Sequence, residues 1–350
     1  PRLMAHGLWL MADIHTPASG TDFRDDARRR RPLPNEILAE LTKMRDWPSW
    51  LAVGRNVGAI ALLAALGLQV WPEEGSWVSA LWLAPVICLI ALAQQGYFVL
   101  AHDAAHYRLF KRRAVNDLAG RVLAGVVGIS MCSYRIVHRL HHNNLYGDGD
   151  PDLPIHAGYP RGRRYLLKKL GRDLMGLTAP KAYAYFFGSP AVFGTAGAHA
   201  NPLDDTAPAL RTAARRDRWL VVAFHVAAPL GTWWFGYLLE YMVLWVLPLV
   251  TVMQATLRFR SILEHGAVTD LSSPLTAART NVGPWWIMSF LFPHNVHYHV
   301  EHHLYPAIPH YNLPACHAEL AKRGWLDEAE VRQVSETVSM VFAERLQQTA

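Results

Sequence analysis

The sequence predicts an all-α integral membrane fold, with four transmembrane helices under a cytoplasmic helical cap. Three observations carry this. Trp77 to Ala101 holds no charged residue over 25 positions, enough to cross a hydrocarbon core as a helix. Trp219 to Leu257 is apolar for 39 positions, interrupted by Glu240 and weakly by His225 and Gln254, which leaves room for two antiparallel spans. Lysines and arginines gather on one side of these runs. Half the chain is hydrophobic while the net charge is +6, so the apolar content is segmental rather than even.

Taken in order, residues 1–34 read as a disordered basic tail ending in Arg28 to Arg31. Its charge suits anionic lipid better than nucleic acid, and no nucleic-acid partner is expected. From 35 to 350 no Gly/Ser or Pro-rich linker divides the chain, so one membrane domain is expected. Glu36 to Arg45 reads as an amphipathic surface helix. The expected spans are about 51–71, 77–101, 219–239 and 241–257, with the last hairpin turning near Glu240. The run 118–131 is too short to cross and reads as re-entrant or interfacial, as does the Pro-interrupted run 175–197. Residues 102–218 and 258–350 form the cap. Glu73, Glu74 and Glu240 mark the outer turns, whereas Lys43, Arg45, Lys111, Arg112, Arg113, Arg215, Arg216, Arg218, Arg258 and Arg260 flank the other ends. The positive-inside rule then puts both termini and the long loop in the cytoplasm, here of a bacterial inner membrane. Cys88, Cys132 and Cys316 lie far apart with no C-x-x-C, which argues against a thiolate metal site and against a disulfide framework.

Histidine spacing carries the chemistry. His299, His302 and His303 form H-x-x-H-H, as do His138, His141 and His142, while His102 and His106 are an i, i+4 pair. On a helix such positions share a face, so the imidazoles of each box converge. His102 follows the second span and His265 the fourth, so all three boxes and His265 emerge on one membrane face. A single pair would be an ordinary polar pair at the membrane surface. Nine imidazoles (His102, His106, His138, His141, His142, His265, His299, His302 and His303) exceed what one ion accepts and imply two metals. All-nitrogen ligation suits Fe, Zn, Cu or Ni and does not choose among them.

These boxes, with HDAAHYRLFKRRAVND, HRLHHNNLYGDGDPD and HVEHHLYP around them, resemble the membrane fatty-acid desaturase superfamily from about residue 50 to 320. The resemblance implies two non-haem iron ions held by the nine histidines at the cytoplasmic face. It also implies O2-dependent removal of hydrogen from a lipid acyl chain to make a double bond. Some members carry Asn one turn before the residue matching His265, where Ser261 stands here; Asn295 is the alternative residue for a water-mediated role. Asp103, Glu264 and Glu301 adjoin box residues and are candidates to orient imidazoles, against a plain surface-pairing reading. Trp285 and Trp286 are candidates for the substrate path, against an interfacial aromatic belt. His294 and His297 are weaker second-layer candidates, His225 reads as a packed, hydrogen-bonded histidine, and His310 and His317 as surface residues. Asp148, Asp150 and Asp152 lack the Gly and Glu of a calcium loop and read as shaping a turn.

The sibling readings are a di-iron hydroxylase, an alkane monooxygenase or a carotenoid ketolase; SILEHGAV is loosely like alkane hydroxylases, while HVEHHLYP and DPDLP favour acyl desaturases. An intramembrane zinc protease is a remote alternative, because HDAAH is one methylene from H-E-x-x-H but would idle six histidines. A metal transporter would want ligands near mid-bilayer. With neither a His-Pro-Gly-Gly haem motif nor a Rossmann fingerprint, electrons must come from an external ferredoxin-like donor, for which the basic surface offers steering. The other partners are O2 and a substrate on membrane lipid or an acyl carrier.

Overall fold

The protein is described from a computed structural model covering residues 32–72, 77–147, 149–186, 208–268, 270, 271 and 273–344. The described residues are mostly helical. The helices are α1 (Asn35–Leu41), α2 (Asp46–Gln69), α3 (Trp77–Ala105), α4 (Arg113–Val126), α5 (Met131–Asn144), α6 (Leu153–His156) and α7 (Arg163–Leu174). They continue as α8 (Ala179–Phe186), α9 (Pro208–Trp234), α10 (Leu238–His265), α11 (Trp285–Leu291), α12 (His299–Leu304), α13 (Leu313–Lys322) and α14 (Val334–Phe342). One short parallel pair, β1 (Thr280–Val282) with β2 (Val331–Gln333), departs from the all-α expectation.

Helix α3 is the hub, with α2, α4, α5 and α10 packed around it. Its close approaches depend on small residues. A Cβ on Gly96 would lie 2.1 Å from Asn56 Oδ1, and one on Gly120 would lie 2.6 Å from the Ala104 Cβ. Asn56, polar inside an apolar helix, donates to the Ala93 carbonyl (2.9 Å), so α2 and α3 are joined by a satisfied buried amide. Helix α10 is irregular where it crosses α3. Met242–Val246 is a π-helical stretch, and a break follows at Thr251. The carbonyls this releases are taken by side chains: Gln94 donates to Trp245 (2.8 Å) and Gln254 to Leu249 (3.0 Å). An unsatisfied carbonyl there would cost several kcal/mol, which is why the two glutamines sit in otherwise apolar runs.

Among the described residues, three helices are long and apolar enough to cross a membrane: Asp46–Gln69, Leu81–Ala105 and Leu238–His265. A fourth arises if α4 and α5, bent by 97°, count as one broken or re-entrant span. The expected span at 219–239 differs. It lies in α9, which ends at Trp234 and carries the charged run Arg215, Arg216, Asp217 and Arg218 in its first half, leaving a short apolar half. The hairpin turns at Phe235–Tyr237, near Glu240 as expected, with Glu240 itself in the first turn of α10. Asp217 earns its place in α9 by accepting hydrogen bonds from Ser130 Oγ and the Cys132 amide (both 2.9 Å), so it caps α5 from outside. His225 is packed as expected, with Nε2 on the Gly125 carbonyl (3.0 Å). The outer surfaces of these helices carry exposed Leu62, Trp82, Leu230, Trp233 and Trp234, and exposed Cys88, as a lipid-facing surface does.

Most of the expected tail, residues 1–31, lies outside the described residues, as does 187–197 of the Pro-interrupted run. Leu33, placed in the tail by sequence, is instead buried with Leu41, Ile308, Leu313, Cys316 and Leu320, and its amide donates to the Tyr305 hydroxyl (3.1 Å).

Because the Ala104 Cβ is rigid, Gly120→Ala should push α4 from α3 and cost about 1–3 kcal/mol. Thermal unfolding in detergent checks this; an unchanged melting temperature would mean that the contact is not tight.

Candidate metal centre

The three boxes sit on helix ends that the hub brings together. His102 is in the last turn of α3, and His106 just beyond it. His138, His141 and His142 form the last two turns of α5, His265 ends α10, and His299, His302 and His303 line α12. Two groups result. His102, His106, His138, His142 and His302 place one ring nitrogen each within 4.8 Å of all the others, and His141, His265 and His303 do the same. In the first group Nε2 atoms meet at 2.9 Å (His106–His138), 3.0 Å (His138–His142) and 3.0 Å (His142–His302). His299 joins the second, its Nε2 2.8 Å from that of His265 and 3.2 Å from that of His303. His142 and His303 stack with centroids 4.2 Å apart, so the two groups adjoin.

Burial, reinforced by neighbouring imidazoles, holds His299, His302 and His303 well below the ordinary histidine value and His106 at about 3. These rings are therefore neutral near pH 7, with lone pairs available. Facing Nε2 pairs at 3 Å can share only one proton between them. Several neutral imidazoles aimed at one point, with no Cys and no carboxylate among them, form a donor set that fits a borderline transition metal.

The surrounding polar residues fix the rings. Asp150 is the partner that sequence reading missed. It is buried, accepts from His141 Nδ1 at 2.8 Å, and is held by the amides of Tyr146 (3.0 Å) and Asp152 (2.9 Å). That leaves His141 Nε2 for the second group, the usual carboxylate–histidine arrangement. His156, also not singled out from sequence, is fully buried with Nε2 3.5 Å from Asp150, and forms a third possible metal-holding set with His141 and Asp150. The DPDLPIH spacing was the available signal; its aspartates shape a turn, and that turn delivers a carboxylate to box two.

Among the expected orienting residues, Asp103 approaches His102 Nδ1 only to 3.9 Å and instead accepts from the amide (3.0 Å) and Nδ1 (2.7 Å) of His310. His310 is thus buried, not on the surface, because it anchors the loop after box three to α3. Glu301 faces away from the box rings, accepting from Thr280 Oγ1 and His317 Nδ1, both at 2.5 Å, so His317 is a partner rather than a free surface residue. Glu264 lies 3.4 Å from Arg260 Nε. Asn295 donates to the His310 carbonyl (3.1 Å). His294 and His297 are buried but join neither group. Trp285 and Trp286 are exposed on α11.

Strand β1 ties α10 to α12. Buried Arg279 donates to the Leu263 (3.1 Å), Gly266 (2.8 Å) and Ala267 (3.3 Å) carbonyls and pairs with Glu330, capping the helix that ends in His265. Thr280 Oγ1 accepts from the Val300 amide (3.1 Å), fixing the start of box three.

The profile of the fatty acid desaturase family matches residues 76–327, a segment that holds every one of these histidines. The chain belongs to the fatty acid desaturase family. It is similar to dihydrorhizobitoxine desaturase of Bradyrhizobium elkanii, 26% identical over 293 residues, covering 79% of this chain and 77% of that protein. An sn-1 oleoyl-lipid 12-desaturase of Synechocystis sp. is 25% identical over 301 residues, covering 79% and 76%. A Delta(12) acyl-lipid conjugase (11E,13E-forming) of Momordica charantia is 26% identical over 235 residues, covering 62% and 58%. The fatty acid desaturase is therefore a membrane oxidoreductase with histidine groups able to hold metal.

Asp150→Asn keeps the shape but removes the charge that orients His141. Metal affinity of the second group should fall about 10–100-fold while the first group keeps its metal. Metal retention during graded chelator dialysis checks this; equal loss from both groups would mean Asp150 acts only through the fold.

Proposed function

We propose that the protein is an O2-dependent lipid desaturase whose eight box histidines, with His265, hold two non-haem irons, and that it introduces a carbon–carbon double bond into an acyl chain. The observation that carries this is the convergence of imidazoles into two adjoining groups beside a cavity. His102, His106, His138, His142 and His302 would hold one ion, and His141, His265, His299 and His303 the other. Bound iron would supply the redox chemistry that activates dioxygen and removes hydrogen from an unactivated C–H bond.

The chain's own residues do the rest. The cavity, about 380 Å3, is bounded beside the histidines by Phe98, Tyr134, Leu257 and Val296, which hold an apolar segment against the ring edges and keep bulk water out. Asp150 and the Asp103–His310 pair keep the rings from turning as the chain slides in. The positive-inside pattern supports both termini and the histidine groups facing the cytoplasm, with α2, α3 and α10 crossing and a further crossing from α4–α5 or α9. Electrons come from a separate carrier; the basic flanks suit an acidic, ferredoxin-like one.

Whether oxygen is retained separates desaturation from the sibling hydroxylation. Expression in a host should give a lipid lighter by two hydrogens, lost in a His302→Ala control. A product gaining one oxygen instead would assign hydroxylase chemistry, and an unchanged lipid profile with an active reductase would contradict the reading. Turnover with the cognate carrier should fall as ionic strength rises through the physiological range.

A further inference from the structure

The cavity that touches the histidines is not apolar throughout. At its inner end lie His102, His138, His141, His265 and His299, all buried, with Phe98 and Val296. Its other wall is built by α7, α8 and the middle of α10, which contribute Lys169, Arg172, Lys181 and Arg258. Arg172 and Lys181 are exposed and Lys169 is half-buried, so this end is the mouth.

The charges there do not cancel. Arg258 is consumed by buried Asp173, with Nε–Oδ2 at 2.5 Å and Nη2–Oδ1 at 3.1 Å, and Thr178 also binds that carboxylate. Deeper in, Arg260 faces Glu264 at 3.4 Å, and Asp152 lies 3.6 Å from His141. What remains is Lys169, Arg172 and Lys181 against the single carboxylate of Asp152, an excess of positive charge; none of the three cations has a carboxylate ion-pair partner among the described residues, and Lys169 meets the Tyr165 side chain, 5.5 Å from its ring centre. Three cations at the mouth of one cavity repel each other, and an oxyanion seated between them removes that repulsion while accepting charge-assisted hydrogen bonds. At about 380 Å3 the space lies near the low end for small-molecule sites, so its apolar and cationic ends serve one ligand.

We propose that Lys169, Arg172 and Lys181 form a binding site for an anionic oxygen group, carboxylate or phosphate, attached to the chain whose other part lies against the histidines. The substrate class is then an anionic amphiphile rather than a chain on an uncharged carrier. This rests on the desaturase reading for which bond is attacked, but the binding step can be tested without turnover.

Decanoate, decyl phosphate and methyl decanoate are titrated into the purified full chain in uncharged detergent, with calorimetry as the readout. The two anions should bind about tenfold or more tighter than the ester. Arg172→Gln/Lys181→Gln, at two exposed positions, should erase that difference and leave ester binding unchanged; Arg172→Glu/Lys181→Glu should invert it. Equal binding of ester and anion by the wild type, or a preference that survives both double variants, would overturn the proposal. Repeating the titration in nanodiscs of phosphatidylglycerol against uncharged lipid distinguishes the sources. Competition by phosphatidylglycerol supports a membrane phospholipid headgroup as the anion, and its absence supports a soluble one. Failure of the desaturase reading would show separately, as anion binding without any change in host lipids.

Discussion

The structure depends on holding uncharged imidazole nitrogens closer together than they would choose. In the first group Nε2 atoms meet at 2.9–3.0 Å, and in the second at 2.8–3.2 Å. Lone pairs at that distance repel unless a proton or a cation lies between them, and burial makes protonation unfavourable. The surrounding protein must therefore impose the arrangement, and a metal is the ligand that rewards it. This explains why the polar investment lies outside the boxes. Asp150 on His141, Asp103 on His310, Arg279 on the end of α10 and Thr280 at the start of α12 each lock a segment that carries rings.

The scaffold serves the same end. Glycines at 96 and 120 let α2 and α4 approach α3 closely, which fixes where His102 and His106 emerge. The π-helical stretch in α10 resets the rotation of the helix that ends in His265, and Gln94 makes this tolerable by taking the Trp245 carbonyl. Deforming a helix inside a membrane protein is costly unless each freed backbone group finds a partner, and here the partners come from the hub helix itself.

Much of this is legible in the sequence, because the information is local. An i, i+3, i+4 histidine pattern needs only the helix period to be read, and the charge-free run at 77–101 needs only length. What escapes reading is long-range. Asp103 is adjacent to His102 but bonds His310, 207 residues away, and Glu301 beside His302 reaches Thr280 and His317. Adjacency to a box histidine in sequence is a poor guide on a helix, where neighbouring side chains diverge by about 100°. The three-residue β1 has no detectable period, and the length of the third apolar run is misleading because α9 spends its first half on Asp217 and its arginine neighbours.

The cavity joins the two halves of the account, with histidines and aromatic walls inside and cations at the mouth. The desaturase reading presupposes that the imidazoles carry two irons. Iron quantified in purified protein, by elemental analysis with Mössbauer spectroscopy, tests this most directly. The account predicts two irons per chain in nitrogen-rich surroundings, falling to one or none in His302→Ala or His303→Ala; a single zinc, or iron content indifferent to both substitutions, would contradict it.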